Sequence, residues 1–364
     1  MNNREIIRFC GCSDVGKSRT NNEDAFVVEL LDDNTLLAIV IDGVGGYEGG
    51  EVAAEMAQTE IPSYLKEFNR GERIELLKQA VVSANNAICD RRQYDTARPN
   101  MSCVLTSVLV DMGRKVIDMV HVGDTRLYQY HSGVLRKLSH DHSYVGYCEE
   151  IGDLTEEQAM HHPQRNVISR SVGSERHGVS DPDFMEAVEF PLQPNSILLL
   201  CSDGLTDLVP SAQIASILDL KVSIEEKTKR LIDVANEAGG KDNVTVVLVE
   251  YCAAENPQSQ KESESNTEEQ DDNLTQNEEK FSGIYNKSTL ITIIIISSIL
   301  TLSSTGYALW LHLHQLKALN NEPKTEEIRL GSVDKEESMP KSEGDSTFLM
   351  NACVSSDTAE VLNF

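Results

Sequence analysis

Positive charge is scarce in this 364-residue chain: 32 lysines and arginines stand against 59 aspartates and glutamates, for a formal net charge of −27. A surface of that sign repels a phosphate backbone, which excludes nucleic acid as a partner. Carboxylates in such number suit divalent cations instead. The cysteines at 10, 12, 89, 103, 148, 201, 252 and 353 form no CxxC pair and show no dense spacing, so neither a thiolate zinc site nor a disulfide framework is indicated. Several sit in apolar runs, as Cys103 and Cys201 do, and read as buried thiols in a reducing compartment. The opening residues, MNNREIIRFCGCSD, lack an apolar h-region and a small-residue cleavage site, so no secretory signal is visible. No repeat of 20–50 residues is present. The length allows one large domain or two ordinary ones.

Charge disappears in one place. Between Lys287 and Lys317 there is no Asp, Glu, Lys or Arg, and LITIIIISSILTLSSTGYALWLHL exceeds the roughly 20 apolar residues that a bilayer-crossing helix needs. A transmembrane helix is expected over 288–313, with Tyr307 and Trp310 in an interfacial belt. The preceding segment, 253–287, has almost no large apolar side chains and reads as a disordered acidic tether. Residues 314–364 read as a polar, acidic, unstructured tail. Lys280 and Lys287 before the span, against Lys317, Lys324 and Arg329 after it, lean toward a cytoplasmic tail. The absence of an export signal and the reduced-cysteine reading outweigh that lean. The expectation is a single-pass membrane protein with residues 1–252 in the cytoplasm and membrane lipid as one partner.

Within residues 1–252 the dominant period is two. AFVVELL, TLLAIVID, CVLTSVLVD, KVIDMVHVG, RLYQYHSG, VLRKLS, SILLLCSD and VTVVLVEY are short β-branched runs bounded by Gly, Asp or Asn. Helical patterns fall at 51–68, interrupted at Pro62, and at 73–92, 211–218 and 224–238. DMGRK and YHSGV have hairpin spacing, so the fold class is α+β: two packed antiparallel sheets with helices covering their outer faces.

One motif competes with another for the chemistry. Gly11-Cys-Ser-Asp-Val-Gly16-Lys17-Ser18 fits GxxxxGK[ST], the phosphate-cradling loop of nucleotide hydrolases, with a strand-like REIIRFC before it. That loop requires a helix beginning at Lys17, yet RTNNED competes with helical backbone and AFVVELL is short and β-branched. Elsewhere, Asp42, Asp124, Asp203 and Asp242 each end or begin an apolar strand beside Gly, Asn or Thr. Any one alone is an ordinary strand-end turn. Together with Arg19 and Asn22-Glu23-Asp24, they form an oxygen-only set suited to magnesium or manganese, and such carboxylates can hold a two-metal centre that activates water and clamps a phosphoryl group.

In order and spacing, Arg19-Thr-Asn-Asn-Glu23-Asp24, Asp42-Gly43-Val-Gly-Gly with Gly50-Glu51-Val-Ala, Gly123-Asp124-Thr-Arg126, Ser202-Asp203-Gly204-Leu205 and Gly240-Lys-Asp242-Asn243-Val-Thr resemble the metal-dependent (type 2C) serine/threonine protein phosphatases. The likeness runs from about Ser13 to Glu250, and the stretch from Asp141 to about 175 resembles the flap of the bacterial branch. The resemblance implies an αββα sandwich with two Mn²⁺ or Mg²⁺ ions in a cleft at one end. Asp42 would bridge them, the Gly43 carbonyl would bind one, and Asp203 and Asp242 would complete the other. Asp124 with Asp203 matches the pair that holds a third ion in bacterial members. Asp24 matches a carboxylate that binds metal-held water without touching metal, and Asn243 adjoins the site in a similar supporting place. Arg19 matches the arginine that grips the substrate phosphate, to which its planar fork is suited.

The implied reaction is attack of a metal-bridged hydroxide on the phosphorus of phosphoserine or phosphothreonine in proteins, opposing a cognate serine/threonine kinase. Val44 stands where eukaryotic relatives have a histidine and bacterial ones usually a methionine, which leaves a metal-bound water to protonate the leaving oxygen. Met101-Ser-Cys-Val104 replaces the family's Met-Gly-Thr-Thr, and Tyr47 its usual histidine. The first of these departures supports a rival reading, a phosphatase-like binding module with weak or lost catalysis. His140, His142, His161 and His162 read as flap structure or solvated surface.

Overall fold

Alternation along single strands builds three stacked layers of core. The structure, a computed structural model, describes residues 5–44, 49–252 and 352–355, the last by backbone alone. In β3 (Thr35–Val44), Leu37, Ile39 and Ile41 point to one face while Leu36, Ala38 and Val40 point to the other. The first set packs against helices α1 (Gly49–Glu67) and α2 (Arg73–Tyr94); the second meets the opposing sheet. Strand β10 (Val244–Cys252) divides in the same way, with Val247, Val249 and Tyr251 between the sheets and Val244, Val246 and Leu248 toward the other helices. Burying each such side chain contributes about 1.5–3 kcal/mol, so a one-residue slip of register would invert the whole pattern.

Every named strand pairing is antiparallel. One sheet joins β2 (Asp24–Asp32), β3, β4 (Ser102–Asp111), β5 (Val116–Val122) and β8 (Glu186–Pro191) in that order. The other runs β11 (Ala352–Ser355), β1 (Ile6–Asp14), β10, β9 (Ser196–Cys201), β6 (Arg126–His131) and β7 (Val134–Lys137). Two flap helices, α3 (Tyr144–Glu150) and α4 (Glu156–Met160), precede β8. Helices α5 (Asp203–Thr206), α6 (Ser211–Leu218) and α7 (Ile224–Glu237) complete the chain order between β9 and β10. The expected α+β sandwich is therefore present.

Three expectations are corrected. Helix α1 continues through Pro62, because Ala57, Ile61, Pro62 and Leu65 are all buried and tertiary burial outweighs the lost backbone hydrogen bond. Residues 352–355 form a strand on β1, with Ser13 opposite Ala352 and Cys10 opposite Ser355, so that short piece of the tail is ordered into an edge pairing. Cys10, Cys89, Cys103, Cys148, Cys201 and Cys252 are free, but Cys12 is disulfide-bonded, a departure from thiols throughout. Among the described residues no helix is long and apolar enough to cross a membrane. The expected span at 288–313, the tether at 253–287 and the rest of the tail lie outside the described residues.

Candidate metal centre

Strand register gathers the aspartates. Asp24 opens β2 directly opposite Asp42 near the end of β3, Asp42 is opposite Val104 of β4, and Leu105 is opposite Val122, two residues before Asp124. In the other sheet Cys201 is opposite both Arg126 and Val246, so Asp203, Asp124 and Asp242 leave their strands at one end of the sandwich. Asp42, Gly43, Asp124, Asp203 and Asp242 line a single cleft of ≈ 200 Å³, together with Arg19, Glu23, Val44, Asn166, Ile168 and Asn243.

Close backbone contacts fix this end. A Cβ on Gly43 would lie 2.4 Å from the Gly50 carbonyl, so the start of α1 can sit against the end of β3 only with glycine there. The Gly43 amide donates to the Glu23 carbonyl at 3.1 Å. Asn243 accepts from the Glu23 amide at 2.8 Å and donates to the carbonyls of Val15 at 3.0 Å and Asn21 at 2.9 Å, which pins the loop carrying Arg19. Asp24 accepts from the hydroxyls of Ser202 and Thr245, both at 2.7 Å. The side chains of Asp24 and Asn243 thus brace the cleft through hydrogen bonds.

Negative charge dominates the cleft. Desolvation, followed by the charges of Asp24, Asp203, Asp124 and Asp242, pushes Asp42 well above the usual carboxylate range. Desolvation and then Asp124, Asp207 and Asp242 do the same to Asp203. Desolvation and Asp141 raise Asp124 to about 7 against the opposing pull of Arg126. Asp24 is also raised to about 7, by desolvation first, while its two hydroxyl donors hold it down. The cation at the mouth is Arg19, half-exposed and 2.8 Å from Asp242. An oxygen-only set this poorly compensated fits Mn²⁺ or Mg²⁺, and the chemistry of the donors suits neither copper nor a thiolate-bound ion.

The flap is latched to both sheets. The His142 amide donates to the Gly123 carbonyl at 2.6 Å, Ser169 returns a bond to His142 at 2.8 Å, and Cys103 and Val172 exchange bonds at 2.9 and 2.7 Å. Arg126 bonds Asp141 at 2.7 Å and Glu149 at 3.2 Å, and Arg165 reaches Asp207 at 2.6 Å. Sequence reasoning missed Asn166, Asp207 and the Arg126–Asp141 pair. Of these only Asp207 was signalled, standing one helical turn after Asp203. Met101 and Cys103 are fully buried in the helix-side core, so that departure from the family pattern is a packing change. Tyr47 lies outside the described residues. His161 lines a separate surface groove with Arg19 and Lys241.

The nucleotide-hydrolase motif is overturned. Gly11 and Cys12 lie inside β1, paired with β10, and the amides of Lys17 and Ser18 both bond to the Gly240 carbonyl at 2.8 and 3.0 Å. No helix starts at Lys17; the chain turns and enters β2.

Residues 15–240 match the protein phosphatase 2C family. The serine/threonine phosphatase stp of Listeria monocytogenes is 36% identical over 242 residues, covering 65% of this chain and 93% of that one. Among solved structures, the Streptococcus agalactiae serine/threonine phosphatase is 31% identical with a TM-score of 0.60, covering 67% of this chain and 98% of its own. The catalytic domain of the phosphatase PstP, solved with two manganese ions, has a TM-score of 0.59 at 27% identity, over 68% of this chain and 99% of its own. The fold and the acidic cleft are those of a metal-dependent phosphatase. The chain belongs to the protein phosphatase 2C family and is a protein serine/threonine phosphatase.

Proposed function

We propose that Asp42, the Gly43 carbonyl, Asp203 and Asp242 hold two Mn²⁺ or Mg²⁺ ions, that Asp124 and Asp203 hold a third, and that Arg19 receives the phosphate of phosphoserine and phosphothreonine proteins. The observation that carries the reading is the convergence of four strand-end aspartates on one cleft with a guanidinium at its mouth. Bound there, the ions supply an activated water and electrostatic clamping of the phosphoryl oxygens. The chain's own groups do the rest. Arg19 can turn from Asp242 to a phosphate, gaining a charge-assisted bond of the same kind. Asp24, fixed by Ser202 and Thr245, stands opposite Asp42 and would accept hydrogen bonds from metal-held water. Asn166 and Ile168 bring the flap against the same space. The measurement is phosphate release from a phosphothreonine peptide with Mn²⁺ and with chelator; full activity in chelator defeats the assignment.

The charge-free run at 288–313 supports a membrane-anchored enzyme with a cytoplasmic catalytic domain acting against a serine/threonine kinase. A second reading is favoured by the β1–β11 pairing: the tail stays on the catalytic domain and the chain does not cross a bilayer. The two exclude each other, because a single crossing carries residues 352–355 away from β1. Burying some 20 apolar residues outweighs four residues of edge pairing, so the anchor is the reading for the chain in a bilayer and the β1–β11 pairing describes the chain outside one. Protease added outside intact cells should clip only the tail. A protected tail on protein that fractionates as soluble selects the second reading.

A further inference from the structure

A cluster outside the acidic cleft has the wrong chemistry for manganese and the right chemistry for zinc. His121 on β5 stands directly opposite Glu186 on β8, so their side chains share one face of the sheet. His142, at the beginning of the flap, packs over His121 with ring centroids 4.9 Å apart. One nitrogen from each ring and a Glu186 carboxylate oxygen all lie within 4.8 Å of one another.

The hydrogen bonding of His121 leaves a lone pair aimed into this space. Its side chain is fully buried, and Nδ1 meets the Thr106 hydroxyl at 2.9 Å. Thr106 in turn donates its one proton to the Thr125 carbonyl at 3.2 Å, so it accepts from Nδ1, which carries the imidazole proton. Nε2 then bears the lone pair, and it is buried without a partner. A buried acceptor left alone costs about 1–3 kcal/mol, which something in the site must recover. His142 is also a lone-pair donor by environment: the Gly123 amide donates to Nδ1 at 3.1 Å, and the Arg170 guanidinium approaches Nε2 at 3.4 Å. Burial holds both imidazoles uncharged; His121 and Arg170 add to it at His142, which is pushed down to about 3, whereas at His121 the charges of Asp141 and Glu186 oppose it. Both Glu186 oxygens accept from the exposed His140, one from the ring at 2.6 Å and the other from the amide at 3.0 Å, and each keeps a further lone pair.

We propose that His121 Nε2, a ring nitrogen of His142 and the Glu186 carboxylate form a second metal site, selective for a borderline ion such as Zn²⁺ or Co²⁺ and separate from the aspartate centre. Two imidazoles and one carboxylate with an open fourth position are a recurrent zinc donor set. Ligands about 2.1 Å from a tetrahedral ion stand about 3.4 Å apart, so the three groups need to close only by side-chain rotation. The positive charges of Arg170 and Lys137 oppose binding, whereas Asp141 and Glu186 favour it.

The site is coupled to the catalytic end by necessity. If His142 ligates through Nδ1, that lone pair is spent; if it ligates through Nε2, the proton moves to Nδ1. Either way the Gly123 amide loses its acceptor, one residue before Asp124. Binding therefore loosens the turn that presents Asp124 and, where Nε2 is the ligand, moves the imidazole proton to Nδ1.

The test uses full-length protein in detergent, saturated with Mn²⁺ and titrated with Co²⁺ alone, reading the intense visible absorption of four-coordinate, nitrogen-ligated cobalt. About one Co²⁺ per chain, displaced by Zn²⁺, is expected. Asp42→Asn should retain the signal. Glu186→Gln and His142→Ala should each weaken it more than about 100-fold, beyond the loss expected for an outer-sphere partner. Glu186→Gln keeps the shape of the side chain and guards against a misfolded His142 variant. No intense absorption at millimolar Co²⁺ would mean that the orphan nitrogen merely binds water, and the proposal fails. It fails equally if the signal follows Asp42→Asn and ignores Glu186→Gln.

Discussion

Asp24 and Asp42 face each other across the β2–β3 pairing, yet their surroundings differ completely. The Asp24 carboxylate accepts two hydroxyl bonds at 2.7 Å, while Asp42 looks toward Asp203, Asp124 and Asp242. Desolvation raises both, but Asp24 has two hydroxyl donors that hold it down, while the largest charges on Asp42 are other aspartates.

Asp42→Asn should therefore act with opposite signs on stability and catalysis. Without metal it relieves repulsion and should raise Tm by about 2–4 °C for each kcal/mol relieved. With metal it removes the bridging oxygen, and peptide phosphatase activity should fall more than about 100-fold. Mn²⁺ at 100 times its Kd should stabilise the unsubstituted protein by about 2.7 kcal/mol, a gain that Asp42→Asn should lose. Thermal melts with and without Mn²⁺ check the first and third outcomes, and phosphate release from the peptide checks the second.

Arg19→Ala should raise KM for a phosphothreonine peptide about tenfold or more, with a smaller change in kcat, because a charge-assisted bond to phosphate contributes about 1.5–3 kcal/mol. Lys17→Ala, which leaves the backbone bond to Gly240 intact, should change neither constant by more than about twofold. ATP hydrolysis dependent on Lys17 would contradict the placement of Gly11 and Cys12 in β1 and of Lys17 in a turn.

Gly204→Ala should weaken metal binding without touching a carboxylate. A Cβ there would lie 1.9 Å from the Asn243 carbonyl oxygen, on the segment that carries Asp242. Overpacking of this kind costs about 1–3 kcal/mol, and the Mn²⁺ concentration for half-maximal activity should rise with it.

Asp118 offers a pH signature remote from the cleft. It is fully buried, its Oδ1 has no partner, and Arg114 reaches Oδ2 only at 3.5 Å. Desolvation raises it to about 6. An acid raised on folding binds its proton more tightly in the native state. Its stabilising contribution is full below the unfolded value near 3.9 and is lost as pH rises through about 6. Asp118→Asn should then raise Tm above pH ~7, with the gain vanishing toward pH ~4; equal Tm changes at both ends would refute the shift.

Much of the fold could be read directly from the sequence, because a sandwich face imposes period two and the runs TLLAIVID and VTVVLVEY obey it. Helix 211–218 is found with the expected limits, and the hairpins at DMGRK and YHSGV join β4 to β5 and β6 to β7. The aspartates of the site were visible because strand ends, glycines and carboxylates coincide in short motifs. Strand β8 was not visible: EAVEFP is a short edge strand ending in proline, with little alternation to mark it.

What the sequence determined alone was the inventory: oxygen donors without thiolate pairs, strands without a helix after Lys17, and one charge-free run. Tertiary structure decided which groups share a space. The His121–Glu186 pairing comes from β5–β8 register, and His142 joins it through a bond from the flap to Gly123. Long-range register of that kind leaves no trace in local periodicity, because residues 65 positions apart become neighbours only when the sheet closes.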